Sequence, residues 1–360
     1  PVRPELRCML TSFQSAPEPR TLAHRLLRAV EYSFYALALA PVAFIAWQAV
    51  ALLRNIPMWD EFETVLKFLV RYESMSSLRD AIGPLFALAN EHCMVTSRLI
   101  VLALFELTGE ANFIHLAVVG NLSVVGVVML LVRHESNRLV RLLLGALTSL
   151  FIFQLQHHEN FFSSYASIDH FLVVLLTTAT LVWVVRGGVL ALWGAGVMSV
   201  LAVFTLAHGT AVLAAAALVL ALQQRWRHLA GWMAGSLIIA GLFAWRLSGA
   251  PLSLTPPLTL AGLEKMVAYW LSLLGGVPAL GNQSLAMLFG VFLLVILGGL
   301  TWKASYRRDP LLWGVAVNAI LAALLIAYGR AGSPDVSPLS SRYMVQSAMA
   351  WSATLIMLLK

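Results

Sequence analysis

The chain alternates between long apolar runs and short polar turns over nearly its whole length. The runs are roughly 15 to 23 residues long, most of them enough for a helix to cross a hydrocarbon core of about 30 Å. They are too continuous for a barrel strand, in which every second residue is polar, so the pattern predicts helices. Candidate spans are 31–53, 112–132, 139–155, 169–185, 188–206, 208–222, 229–247, 283–302, 310–328 and 343–359, about ten crossings. One further run, Met94 to Leu107, is apolar but short and carries Ser97 and Arg98, and it reads as a helix lying along or dipping into the interface.

Composition agrees with that pattern. Of 360 residues, 60% are hydrophobic and 11% charged, whereas a soluble domain carries about 25% charged residues. The fold class is therefore an all-α polytopic membrane protein. The net charge of +7 sits mostly in the turns RHESNR, QQRWRH and KASYRR and in a tail holding Arg3, Arg7, Arg20, Arg25 and Arg28. This is a topology signal and not a nucleic-acid face. The positive-inside rule makes residues 1–30 a cytoplasmic tail before an uncleaved first span, and leaves 31–360 as one transmembrane domain. Counting Met94 to Leu107 as a crossing would put all three basic turns outside. With it left out, 54–111, 156–168, the His208-Gly209 break, 248–282 and 329–342 share the outer face. Cys8 and Cys93 then fall on opposite sides, which argues against a disulfide or a cysteine zinc site.

The candidate chemistry gathers on that outer face. Between Arg54 and His92 lie Asp60, Glu61, Glu63, Glu73, Asp80 and Glu91, six of the chain's 17 acidic residues. Acids beside hydrocarbon need water or a function. In WDEF, Asp60 and Glu61 directly follow the first span, where a carboxylate can accept a proton from a hydroxyl or hold a cation that does so. The plainer account is loop solvation, or a helix cap by Asp60. NEH supplies Asn90, Glu91 and His92, and QHHEN supplies His157, His158, Glu159 and Asn160. Imidazole and carboxylate suit zinc or manganese, but neither cluster has a metal-site spacing, so His157 and His158 are weak ligand candidates. The basic residues left near the outer face after the first loop are Arg246, Lys265, Arg330 and Arg342. Arg330, Arg342 and Tyr343, in GRAGSPDVSPLSSRY, could grip a phosphate, or else meet lipid headgroups. The second long outer loop, 248–282, has an apolar helical pattern around Leu263 to Leu274 and is expected to cap a cavity.

WDEF, NEH, QHHEN, the HGT break and SRY before the last span, in this order and on one side, resemble bacterial multi-span proteins similar to GT-C-type glycosyltransferases. The likeness extends over most of residues 31 to 345. It implies a bacterial inner-membrane protein whose first outer loop has two helices along the membrane and an acidic catalytic residue, on a periplasmic or extracellular face. The donor it implies is a sugar on a polyprenyl phosphate, and the acceptor a glycan, lipid or protein. Asp60 matches the acidic position best and Glu61 next, and Arg342 matches a donor-phosphate contact. The sequence departs from the pattern at Cys93, where Arg is expected, and at the histidines of QHHEN. Whether a divalent cation assists is left open. Two alternatives stand beside the transferase: a transporter or flippase for lipid-linked or anionic solutes, and a noncatalytic subunit of an envelope-glycan assembly system. A transporter would carry charges along its spans, while a noncatalytic subunit would make Asp60 dispensable.

Overall fold

The computed structural model describes residues 22–75, 77, 80, 82–89, 92–248, 259–333 and 336–360. Asn90, Glu91, most of the basic tail and residues 249–258 of the second long loop lie outside the described residues. The chain begins with α1 (Leu22–Leu52). A π-helical turn, Phe62–Leu66, leads into α2 (Lys67–Glu73), followed by α3 (Ile82–Phe86). A two-residue hairpin, β1 (Leu88–Ala89) and β2 (His92–Cys93), precedes α4 (Val95–Thr108). Next come α5 (Phe113–His134), α6 (Arg138–Ile152) and the short α7 (His158–Phe162). Then α8 (Ser164–Ala166) runs through a second π turn, Ser167–Phe171, into α9 (Leu172–Arg186). The remaining helices are α10 (Val189–Val203), α11 (Ala211–Leu222), α12 (Trp226–Leu247), α13 (Leu260–Leu274), α14 (Gln283–Trp302), α15 (Ser305–Arg308), α16 (Pro310–Arg330) and α17 (Met344–Leu359).

Helix boundaries follow local chemistry. Asn112, Asn137 and Asn282 each accept hydrogen bonds from the first free backbone N–H groups of α5, α6 and α14. Pro310 opens α16, where its missing N–H leaves no bond unmade.

Among the described residues, six helical segments are long and apolar enough to cross a membrane: Arg28–Leu52, Phe113–His134, Ser164–Arg186, Trp226–Leu247, Gln283–Trp302 and Pro310–Arg330. Arg138–Ile152 with Leu155–Phe162, bent by 52°, makes a seventh if the pair is one span. The protein is thus a multi-pass membrane protein, but three of the ten expected spans, at Val189–Val203, Ala207–Leu222 and Met344–Leu359, are shorter helices. A 15-residue helix is about 22 Å long, less than the roughly 30 Å hydrocarbon core. The apolar run at 188–206 is shortened by Gly188, at a φ of 87°, and by the turn that begins at Phe204.

The bundle has a closely packed centre and an apolar rim. Nearly every residue of α17 is buried, as are most of α9 and α16, while α1, α12 and α14 leave Trp47, Trp245 and Phe292 exposed, as lipid-facing helices do. Its two ends differ in charge pattern. At one end Lys360 meets both Glu135 and Asp309, and Arg138 pairs with Glu31 at 2.8 Å. Arg225 joins the same end by donating to Val184 O near the close of α9. The three basic turns therefore lie together, and the loops carrying Asp60, Glu159 and Arg342 meet at the other end. There Arg246, at the close of α12, donates from Nε to Phe86 O at 2.6 Å, tying that helix to the first long loop.

The apolar pattern around Leu263 to Leu274 is helix α13, packed antiparallel along α14. A Cβ on Gly275 would overlap the Ala286 carbonyl, and one on Gly290 the Leu271 carbonyl. Trp270 Nε1 donates to Ile320 O of α16 at 3.1 Å, so α13 stands in the wall of the bundle. Ser347 and Trp351 of α17 close its end by donating to Leu274 O at 2.7 and 3.0 Å. Gly275→Ala should lower stability by about 1–3 kcal/mol, since no side chain there can move aside. Gly298→Ala, into open space within α14, should be neutral or slightly stabilising. Thermal unfolding of both variants in detergent measures the contrast.

Candidate functional site

The turn after α1 separates two neighbouring acids. Trp59 has a φ of 48°, a left-handed conformation uncommon for such a residue. Helical backbone starts at Glu61, just ahead of the π turn, so Asp60 and Glu61 project on different headings as successive residues of a helical turn do. Glu61 is 1% exposed. Its Oε1 accepts from Ser163 Oγ (3.1 Å), Ser164 Oγ (2.6 Å) and Tyr165 N (3.1 Å), and its Oε2 from Met58 N (2.7 Å). This carboxylate clasps the first outer turn to the start of α8. Asp60 is instead 44% exposed and points to Arg342.

Arg342 joins three loops that are remote in sequence. Its Nε donates to Glu159 Oε2 at 2.6 Å and its Nη1 to Asp60 Oδ2 at 3.3 Å, and its guanidinium lies 6.0 Å from the centre of the Trp59 ring. Partial burial disfavours its charge, but the hydrogen bond and charge of Glu159, followed by the charge of Asp60, outweigh this and hold its pKa above the ordinary guanidinium value. The loop backbone is fixed from beneath. Asn160 Nδ2 donates to Arg342 O at 3.1 Å, and Glu159 N donates to Ser341 Oγ at 3.0 Å.

Asp60 and Arg342 stand at the edge of a cavity of about 320 Å³. His92, Arg330 and Tyr343 also line it, together with the apolar side chains of Leu206, Phe243, Leu247, Leu325 and Ile326. Arg330 Nη2 lies 3.1 Å from His92 Nε2. Three further polar groups line it: Asp169, His170 and His208. His170 stacks on His208 with ring centres 6.0 Å apart and meets Tyr343 edge-on at 5.6 Å. Asp169 accepts a short hydrogen bond from Ser97 Oγ of α4. The space is amphipathic, lined by two arginines and three histidines as well as by leucine, isoleucine and phenylalanine side chains.

Comparison with models of protein families, with curated proteins and with solved structures finds no match to this chain. The site must be read from its own geometry.

Of the residues singled out in the sequence, Asp60, Glu159, Asn160, Arg342, Tyr343, Arg330 and His92 converge on this one end. Asn90 and Glu91 lie outside the described residues. His157 is fully buried with Nε2 2.9 Å from Phe151 O, and exposed His158 has Nδ1 3.2 Å from Leu155 O, so each ring serves its own turn. Among the described residues no three His, Cys, Asp or Glu side chains are grouped to hold a metal ion. Sequence reasoning passed over Asp169 and His170 and took His208 only as part of a break between two spans. The missed signal was an Asp-His pair at the first turns of an apolar run, where ionisable groups are costly without a role. Close packing at Gly209, whose Cβ would overlap the Ala202 carbonyl, lets the 3₁₀ turn Ala207–Thr210 hold His208 in the cavity wall.

Glu61→Ala would leave Ser163, Ser164, Tyr165 N and Met58 N without their acceptor. The expected loss is about 1–3 kcal/mol for each buried donor that finds no new partner, read as a lower unfolding midpoint. Glu61→Gln, which keeps one acceptor oxygen, should lose less. Equal stability of Glu61→Ala and wild type would remove the clasp role.

Proposed function

We propose that the protein is a membrane glycosyltransferase of GT-C type, moving a sugar from a polyprenyl-phosphate donor to a glycan, lipid or protein acceptor. The observation that carries this reading is the pairing of Asp60 with Arg342 in the lining of a cavity that holds both charged and apolar side chains. A lipid-borne donor has that same division between a phosphorylated head and a hydrocarbon tail. In this reading ten helical segments cross the inner membrane of a bacterium, the three shorter ones included, with the amino terminus cytoplasmic and the Asp60 end facing out. The basic turns gathered at the opposite end support that orientation.

In the reaction, the acceptor hydroxyl gives its proton to Asp60 as its oxygen attacks the anomeric carbon. The bond from that carbon to the phosphate oxygen breaks, and the electron pair leaves with the polyprenyl phosphate. Arg342 and Arg330 stabilise the negative charge growing on the phosphate, with the neighbouring imidazoles as further polar partners. Glu159 keeps the Arg342 Nε engaged, so its remaining N–H groups are directed by a fixed fork. Asp60 is the better base because it is solvated and faces the cavity, whereas Glu61 is enclosed and saturated with donors. The transporter alternative asks for charges along the path through the spans. Asp169 and His170 lie within two turns of the start of their span at Ser164, at the end where Asp60 lies.

The test is transfer by purified protein from a panel of polyprenyl-phosphate sugars, with and without divalent cation. Asp60→Asn should lower transfer by about 100-fold or more, the lower range for a lost general base, with expression intact. Arg342→Gln should weaken donor binding as well as turnover. Wild-type rates in Asp60→Asn would end its catalytic assignment, and absence of transfer by the wild-type protein from every donor would favour a noncatalytic assembly subunit.

A further inference from the structure

Asp60 belongs to two cavities. Besides the amphipathic one, it lines a second of about 270 Å³, enclosed by the π turn, α2, the segment 84–89 and α4. This one is charged: Lys67, Arg71 and Arg98 face Asp60 and Glu63. Two of those charges cancel directly, since Lys67 Nζ lies 2.6 Å from Glu63 Oε2, and Asp60 is engaged by Arg342 on its other side. Among the described residues neither arginine has a carboxylate at ion-pair distance, and the carboxylate charge that acts on Arg98 from farther off is that of Asp169. Arg71 is exposed and has no ion-pair partner among the described residues.

Arg98 is the more telling of the two. Its residue is 5% exposed, and its Nη1 donates to Pro84 O and Leu85 O at 3.0 Å each and, by a shorter bond, to Ala87 O. Its plane lies 5.5 Å from the Phe68 ring centre. These contacts shape the cavity wall but leave the buried Nε without an acceptor. Burial pushes its pKa below the ordinary guanidinium value, and a bound anion would reverse that penalty.

We propose that this second cavity receives the acceptor, and that the acceptor is a polar glycan bearing a carboxylate or phosphate group near its reactive hydroxyl. This rests on the transferase reading and narrows its acceptor. The lipid donor occupies the amphipathic cavity, the anionic group meets Arg71 and the edge of Arg98, and the hydroxyl reaches Asp60 in the shared wall. The charged side chains of Asp60, Glu63, Lys67, Arg71 and Arg98 favour a polar acceptor group in the second cavity over a hydrocarbon tail.

The chain in lipid nanodiscs is titrated with methyl glucoside, methyl glucuronide and methyl glucoside 6-phosphate, using saturation-transfer NMR. At least one anionic probe should bind at least tenfold tighter than the neutral glucoside, and the tighter of the two names the anion. Arg71→Gln should erase that preference and Arg71→Lys should keep most of it, while polyprenyl phosphate binds both variants as it binds wild type. Equal binding of all three probes, no saturable binding, or a preference untouched by Arg71→Gln would overturn the proposal. Failure of polyprenyl phosphate to bind wild type, with the anionic preference intact, would instead overturn the donor reading.

Discussion

The guanidinium of Arg342 couples the site to the fold. It comes from the loop between α16 and α17 and is held by carboxylates from two other loops, Glu159 after α6 and Asp60 after α1. A half-buried cation near hydrocarbon needs counter-charge close by, because its desolvation is otherwise uncompensated. Two acids at hydrogen-bond distance supply it, so three segments remote in sequence are fixed against one another. Glu61 adds a second clasp next to the first, with no charge of opposite sign but four donors, and binds the same turn to α8. Neighbouring acids thus divide the work. Glu61 anchors, and Asp60 remains accessible.

Everything in the larger cavity hangs from this fixed end. Arg330 and His92 meet across a gap between the first loop and the end of α16, and His170 and His208 stack where two helices begin. The same cavity is also lined by leucine, isoleucine and phenylalanine. A ligand with one charged end and one greasy end satisfies both halves, and a wholly polar or wholly apolar ligand satisfies only one. The second cavity is lined by more charged side chains, five of them, beside Phe68, Leu88 and smaller apolar residues. Asp60, in the partition between them, is the only acidic side chain among the described residues that lines both. A group so placed can act on two bound molecules of different character.

Both π turns border the site, one carrying the chain away from Asp60 and the other bearing Asp169 and His170. An extra residue in a turn shifts the side chains that follow it around the helix, which re-aims them without breaking the helix. The opposite end of the bundle has no such devices among the described residues. Its charges, Lys360 with Glu135 and Asp309, form compact pairs that close helix ends.

The sequence by itself determined the helical class, the membrane setting and the grouping of Asp60, Glu159, Arg330 and Arg342 on one side. Hydrophobic run length and the bias of basic turns are one-dimensional quantities, and a bilayer converts them almost directly into topology. It did not separate the roles of Asp60 and Glu61, because adjacent acids differ only once the packed loops set Ser163, Ser164 and Tyr165 around one and Arg342 beside the other. Nor did it find Asp169, His170 and His208, since a polar residue within an apolar run looks alike whether it faces lipid, a neighbouring helix or a cavity. Which helices fall short of a full span, and that α13 stands beside α14, were also tertiary decisions. They depend on close approaches at Gly275 and Gly290 that only packed neighbours create.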